Sequence, residues 1–176
     1  MTVERVLKEL DSQGWSKFSI GSCEISKLIS NLGHVIMEND VRIVKTSPAL
    51  VTSSEGLPPH TDHHLSQYIM WHCVTQDSHG GHSIIVDGLH IFRTMPSEVR
   101  EALRSIRLKE HTVFHGDAGH HPLIYETGAG ERIYYPVLFE PTEFWLANDL
   151  FSNEQRMAFD TFNKAVKEAV SVLSLI

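Results

Sequence analysis

The sequence predicts a single β-rich α+β domain, and three features of its patterning predict it. Helical periodicity is confined to the two ends and one central connection, the segments between are short apolar or alternating runs, and Gly or Pro punctuates the junctions. A chain of 176 residues, 41% of them hydrophobic, is long enough for one real core and short for two, so residues 1–176 are expected to form one domain.

The elements follow in order. Residues 1–13 carry Val3, Val6, Leu7 and Leu10 at helical spacing and close at Gly14, a residue free to take the left-handed conformation that ends a helix. A second helix is expected to open near Ser22 as N-cap, to carry Ile25, Leu28, Ile29 and Leu32 on one face, and to stop at Gly33. Residues 41–51 are β-branched and broken by Pro48; Gly56-Leu57-Pro58-Pro59 then delivers the chain to His60 in extended form. Residues 68–74 are apolar on both alternating faces, which predicts a strand between two layers, and after the Gly80-Gly81 turn residues 83–87 predict a second buried strand paired with it. Pro96 opens a connecting helix with Val99, Ala102, Leu103 and Ile106. Residues 111–115 read as a strand, and 121–125 and 133–137 as a hairpin around Gly128-Ala129-Gly130. Ser152 and Gln155 form a capping box for a long helix bearing Met157, Phe159, Phe162, Val166, Val170 and Leu173.

Composition narrows the function classes. A net charge of −7 with Lys and Arg scattered singly gives no footprint for a nucleic acid or an anionic membrane. No apolar run approaches the roughly 20 residues of a membrane span, and the first helix does not read as a signal peptide, so a cytoplasmic protein is expected. Cys23 and Cys73 lie far apart among apolar neighbours and are expected to be buried thiols. Histidine is the anomaly: there are 12, and seven of them stand between His60 and His90, interleaved with strand-like segments. That pattern points to a metal or active-site role for some of them.

His60-Thr61-Asp62 is the sharpest candidate. In extended chain, residues two apart project from one face, so His60 and Asp62 can converge on one ion while Thr61 points away. One imidazole and one carboxylate suit Fe(II), and a further His would complete the facial triad that leaves positions open for an oxo-acid and O₂.

The flanking sequence is more specific than the tripeptide. Leu57-Pro58-Pro59-His60-Thr61-Asp62, residues 67–73 and the run Gly80-Gly81-His82-Ser83-Ile84-Ile85-Val86-Asp87-Gly88 resemble the taurine dioxygenase/clavaminate synthase-like family. Met95-Pro96-Ser97-Glu98-Val99-Arg100 and His121-Pro122-Leu123-Ile124 extend the resemblance along nearly the whole chain. It implies a double-stranded β-helix (jelly roll) with flanking helices, Fe(II), and 2-oxoglutarate as cosubstrate. The implied reaction is oxidative decarboxylation to succinate coupled to oxidation of a small polar, amino-acid-like metabolite. Carried over by residue, His60 and Asp62 match the family's first two iron ligands, and Ser83 the hydroxyl that meets the cosubstrate carboxylate. The family's distal His and its oxo-acid-pairing Arg come after a helix resembling residues 152–173, so a jelly roll without its last strands is expected, self-associating through an exposed sheet edge. His111, His115, His120 and His121 are the candidate replacements for the third ligand, with His115 favoured on strand geometry. The alternatives are a degenerate family member acting as a binding or assembly protein without turnover, and a cupin-like metal-dependent isomerase or hydrolase completed by His115.

Plainer roles are expected for the other conspicuous side chains. His63 and His64 read as solvated or supporting residues, His72 as a hydrogen-bonded core imidazole, and His79 and His82 as exposed. Asp87 reads as a turn device and Arg93, Arg100 and Arg104 as solvated charges. Phe139, Phe144, Trp145 and Phe151 are expected to pack on the barrel.

Overall fold

The computed structural model describes residues 2–19, 24–44, 52, 56–76, 78, 82–109, 119–128, 130–136 and 151–173. Ser22, Cys23, Pro48, His79, the Gly80-Gly81 turn, residues 111–115, Phe139, Phe144 and Trp145 lie outside them. The chain divides into two compact units: residues 1–42 with 67–78, and residues 43–66 with 79–176.

In the first unit α1 (Val3–Gln13) and α2 (Ile25–Leu32) bury Val3, Val6 and Leu28 against each other, with Leu7, Leu10, Phe18 and Leu32 around them. Thr2 caps α1 by accepting from the Arg5 amide, and Gly14 ends it at φ 81° with its N–H bonded to the Leu10 carbonyl, as the pattern predicts. The predicted strand over 68–74 does not form: those residues carry no regular secondary structure and are exposed, Trp71 at 64% and Val74 at 83%. A run that is apolar on both faces becomes a ladder strand only when both faces are covered, and the described residues supply no such cover. His72 and Cys73 are exposed for the same reason, which corrects the expectation that both are buried.

The second unit holds α3 (Gly88–Thr94), α4 (Ser97–Ser105), β1 (Arg107–Lys109), β2 (His120–Pro122), β3 (Ile124–Thr127), β4 (Gly130–Ile133) and α5 (Asn153–Leu173). β1 pairs antiparallel with β2, Leu108 opposite His121, and β3 with β4, Ile124 opposite Ile133. Gly130 turns the second hairpin at φ 115°, in the region glycine tolerates. Leu123 joins the ladders, donating to the Ile106 carbonyl at 3.0 Å and accepting from the Tyr134 amide at 2.8 Å. The predicted hairpin is therefore present, shifted by a few residues. Residues 83–87, expected as a buried strand paired with 68–74, likewise carry no regular secondary structure and are largely exposed. Among the described residues helix outweighs strand and no closed barrel is formed, so the expected β predominance does not show there.

In this unit α3, α4 and α5 pack together, with α3 against β4 and α4 against β3. Phe92, Leu103, Ile106, Leu108, Leu123, Tyr134, Phe159 and Phe162 are each no more than 1% exposed and form its core. α3 was not anticipated as a helix; Asp87, read as a turn device, caps it by accepting from the His90 amide at 2.9 Å. On α5 the buried residues are Ala158, Phe159, Phe162 and Val166, whereas Met157 is 70% exposed. No helix of the described residues is long and apolar enough to cross a membrane.

The capping box is complete. The Gln155 amide donates to Ser152 Oγ at 3.1 Å, the Ser152 amide donates to Gln155 Oε1 at 3.0 Å, and Gln155 Nε2 reaches Ser105 Oγ of α4 at 2.8 Å. Ser152→Ala is expected to lower stability by about 0.5–2 kcal/mol in a denaturant titration; a change below the error of that titration would show the cap to be idle.

Glu131 ties the sheet to the helices. Arg104 Nη2 donates to it at 2.7 Å and Arg93 Nε at 3.4 Å; both arginines remain partly solvated, as the sequence suggests, but share one carboxylate. The hydrogen bond from Arg104, helped by Arg93, outweighs partial desolvation and holds the Glu131 carboxyl below its ordinary value. A depressed folded value contributes stability that is present above the unfolded pKa, near 4.3, and is lost as pH falls through the folded value. Wild type should therefore exceed Glu131→Gln in melting temperature at neutral pH, and the two should converge in acid. A constant gap across pH 2.5–7 would remove this linkage.

Candidate metal centre

Thr61, between His60 and Asp62, is hydrogen-bonded to Tyr135, continuing the hydrogen bonding that runs through Ile106, Leu123 and Tyr134. The Thr61 amide donates to the Tyr135 carbonyl at 2.7 Å, and the Tyr135 amide donates back to Thr61 Oγ1 at 2.7 Å. With Thr61 committed to that side, His60 and Asp62 fall together: His60 Nε2 stands 3.6 Å from Asp62 Oδ1, the two side chains 19% and 34% exposed.

The other nitrogen of His60 is occupied. Nδ1 lies 2.8 Å from the Pro58 carbonyl, an oxygen that can only accept, so Nδ1 carries the proton and the neutral ring presents its lone pair at Nε2, toward Asp62. A backbone carbonyl in this position is the usual partner of a metal-bound histidine. Burial disfavours the imidazolium, but hydrogen bonding to Asp62 and to Pro58, with the Asp62 charge, outweighs it and holds the ring above its ordinary pKa. A proton and a metal ion compete for the same Nε2 lone pair.

The donor set passes the test of fit for two positions. Two donors on one first-row ion, each at about 2.1 Å, are held roughly 3–4 Å apart. The pair is hard to borderline, one imidazole and one carboxylate, as Fe(II) prefers. Among the described residues no group of three or more His, Cys, Asp or Glu converges. His111 and His115 lie outside them. His120 is exposed on β2. His121 stacks on His64, ring centroids 3.5 Å apart and planes 11° apart, with the Tyr134 ring edge-on to both. His63 Nδ1 accepts from the Leu65 amide at 3.1 Å, which makes it part of the turn that follows the motif rather than a solvated side chain. Ser83 lies in the exposed stretch 82–87, and among the described residues no hydrogen bond links it to His60 or Asp62.

Sequence reasoning missed the supports. Tyr135 is 5% exposed, packs against Phe159 and Phe162, and donates its hydroxyl to Asn163 Oδ1 of α5. Asn163 is 7% exposed, a polar side chain on an otherwise apolar helical stripe, and that break in the stripe was the available signal.

The His60–Asp62 pair thus offers one imidazole and one carboxylate to a single ion. Residues 25–172 match the family described as Taurine catabolism dioxygenase TauD, TfdA family, and the chain belongs to that family. Its members are non-heme iron dioxygenases that depend on Fe(II) and 2-oxoglutarate in general. No curated protein and no solved structure gives a significant match.

Proposed function

We propose that this chain is an Fe(II)/2-oxoglutarate-dependent oxygenase acting on a small polar, amino-acid-like metabolite. His60 and Asp62 hold the iron, and the Ser83 hydroxyl meets a carboxylate of the oxo-acid. The observation that carries this reading is the His60–Asp62 pair at 3.6 Å with Nδ1 already committed to Pro58, which leaves Nε2 free to ligate. Bound Fe(II), with 2-oxoglutarate and O₂, supplies an oxidation that releases succinate and CO₂ and oxidises a substrate C–H bond. His60 contributes a neutral donor of fixed tautomer. Asp62 contributes an anionic oxygen that offsets the charge of the cation. Residues 1–176 are read as one jelly-roll domain with flanking helices, working in the cytoplasm on a small molecule rather than on nucleic acid or membrane.

The test is direct. Under anaerobic conditions Fe(II) and 2-oxoglutarate together should give a visible metal-to-ligand charge-transfer band, and admission of air should give succinate. Neither signal appearing would end the oxygenase reading. A second reading, a binding or assembly protein without turnover, is favoured by the exposed apolar side chains of Ile69, Trp71 and Val74. It predicts self-association in a size measurement together with no succinate; a monomer that turns over excludes it.

A further inference from the structure

We infer that Thr61, the middle residue of the motif, is a positioning residue that fixes the direction in which His60 and Asp62 face, and that its anchor is the Tyr135–Asn163 pair. The inference rests on the reading of His60 and Asp62 as metal ligands. Two hydrogen bonds join the same two residues, one to the Thr61 amide and one to its Oγ1, both at 2.7 Å. The first fixes the backbone and the second the side chain, so the segment can neither slide nor roll about its own axis. His60 Nε2 and Asp62 Oδ1 stand 3.6 Å apart on either side of Thr61 in the chain, so holding Thr61 by both its amide and its side chain holds the two donors that flank it.

Tyr135 is the more buried partner, 5% exposed. Its ring is enclosed by Phe159 and Phe162 and its hydroxyl is held by Asn163, so the core of α5 sets where its backbone lies. Removing Oγ1 leaves the Tyr135 N–H unmet in a buried place, and the motif, as the less buried partner, is what moves to relieve it.

Cobalt(II) binding to the full chain tests this, because its visible ligand-field bands report ligand arrangement without turnover. Thr61→Val is expected to bind Co(II) about 10–100-fold more weakly than wild type, with altered bands, as outer-shell losses at metal sites do. Thr61→Ser, which keeps the hydroxyl, should retain the wild-type bands and stay within about 3-fold in affinity, a loss well below that range. Val166→Ala, a buried α5 change outside the Thr61–Tyr135 and Tyr135–Asn163 hydrogen bonds, should lower the melting temperature and leave cobalt binding intact. Tyr135→Phe releases the anchor while keeping the backbone, and should weaken binding even if Thr61→Val does not fold. Wild-type bands in Thr61→Val or in Tyr135→Phe, no rescue by Thr61→Ser, or an equal loss in Val166→Ala would overturn the inference. Wild-type protein that binds no cobalt through His60 and Asp62 removes the metal-site reading and the clamp with it; wild-type binding with an indifferent Thr61 removes the clamp alone.

Discussion

Replacing Asp62 with alanine is expected to abolish both the anaerobic charge-transfer band and succinate formation, and His60→Ala should do the same. Each removes one of the two donors that stand 3.6 Å apart, and a single remaining protein ligand cannot fix either the position or the open face of the ion. The loss in metal affinity should exceed the roughly 10–100-fold that outer-shell substitutions cause. Asp62→Asn separates charge from shape: it keeps the volume and one oxygen, and should still fail, because a neutral amide does not offset the cation. His120→Ala, on an exposed position of β2, serves as the control and should bind and turn over as wild type does. Retained succinate formation in Asp62→Ala, measured with stoichiometric iron, would falsify the assignment of the ligand pair.

Phe162→Ala should produce the largest loss of stability. The side chain is fully buried, meets the Tyr135 ring edge-on at 5.7 Å, and packs in the cluster with Phe92, Leu103 and Phe159. Truncating a buried Phe costs about 3–5 kcal/mol, the transfer term plus the cavity left behind, against a total stability of about 5–15 kcal/mol for an ordinary domain. Equilibrium denaturation should show that loss, with near-UV dichroism reduced before melting. Because Phe162 also walls in Tyr135, metal binding should weaken in the residual folded fraction. A loss below about 1 kcal/mol would mean that this core is not what holds the second unit together.

The local features of the fold were legible in the sequence for physical reasons that operate within a few residues. The Ser152–Gln155 box, the Gly14 terminus, the α4 helix after Pro96 and the Gly130 turn each depend on one side chain or one backbone conformation, and each is where the sequence places it. α3 escaped because seven residues with little periodicity give no helical pattern, although Asp87 at its cap was visible as a turn-former. The stretches 68–74 and 83–87 went the other way. Their apolar character predicts burial, but burial is a property of what covers a segment, and no short window contains that information.

The metal motif divides along the same line. The sequence by itself determined that His60 and Asp62 share one side of an extended segment, that Pro58 and Pro59 deliver the chain to them extended, and that the flanking residues carry a family pattern. Tertiary structure decided the rest. It turned Thr61 from a spacer into the point of attachment to Tyr135, gave His60 a carbonyl that fixes its tautomer, paired His64 with His121 in a stack, and put Asn163 inside the core as the partner of a tyrosine hydroxyl. The reason is one of range: alternation, caps and turns are settled between neighbours in the chain, whereas the bonds that aim the motif join residues as much as 74 positions apart, and only the packed sheet brings those together.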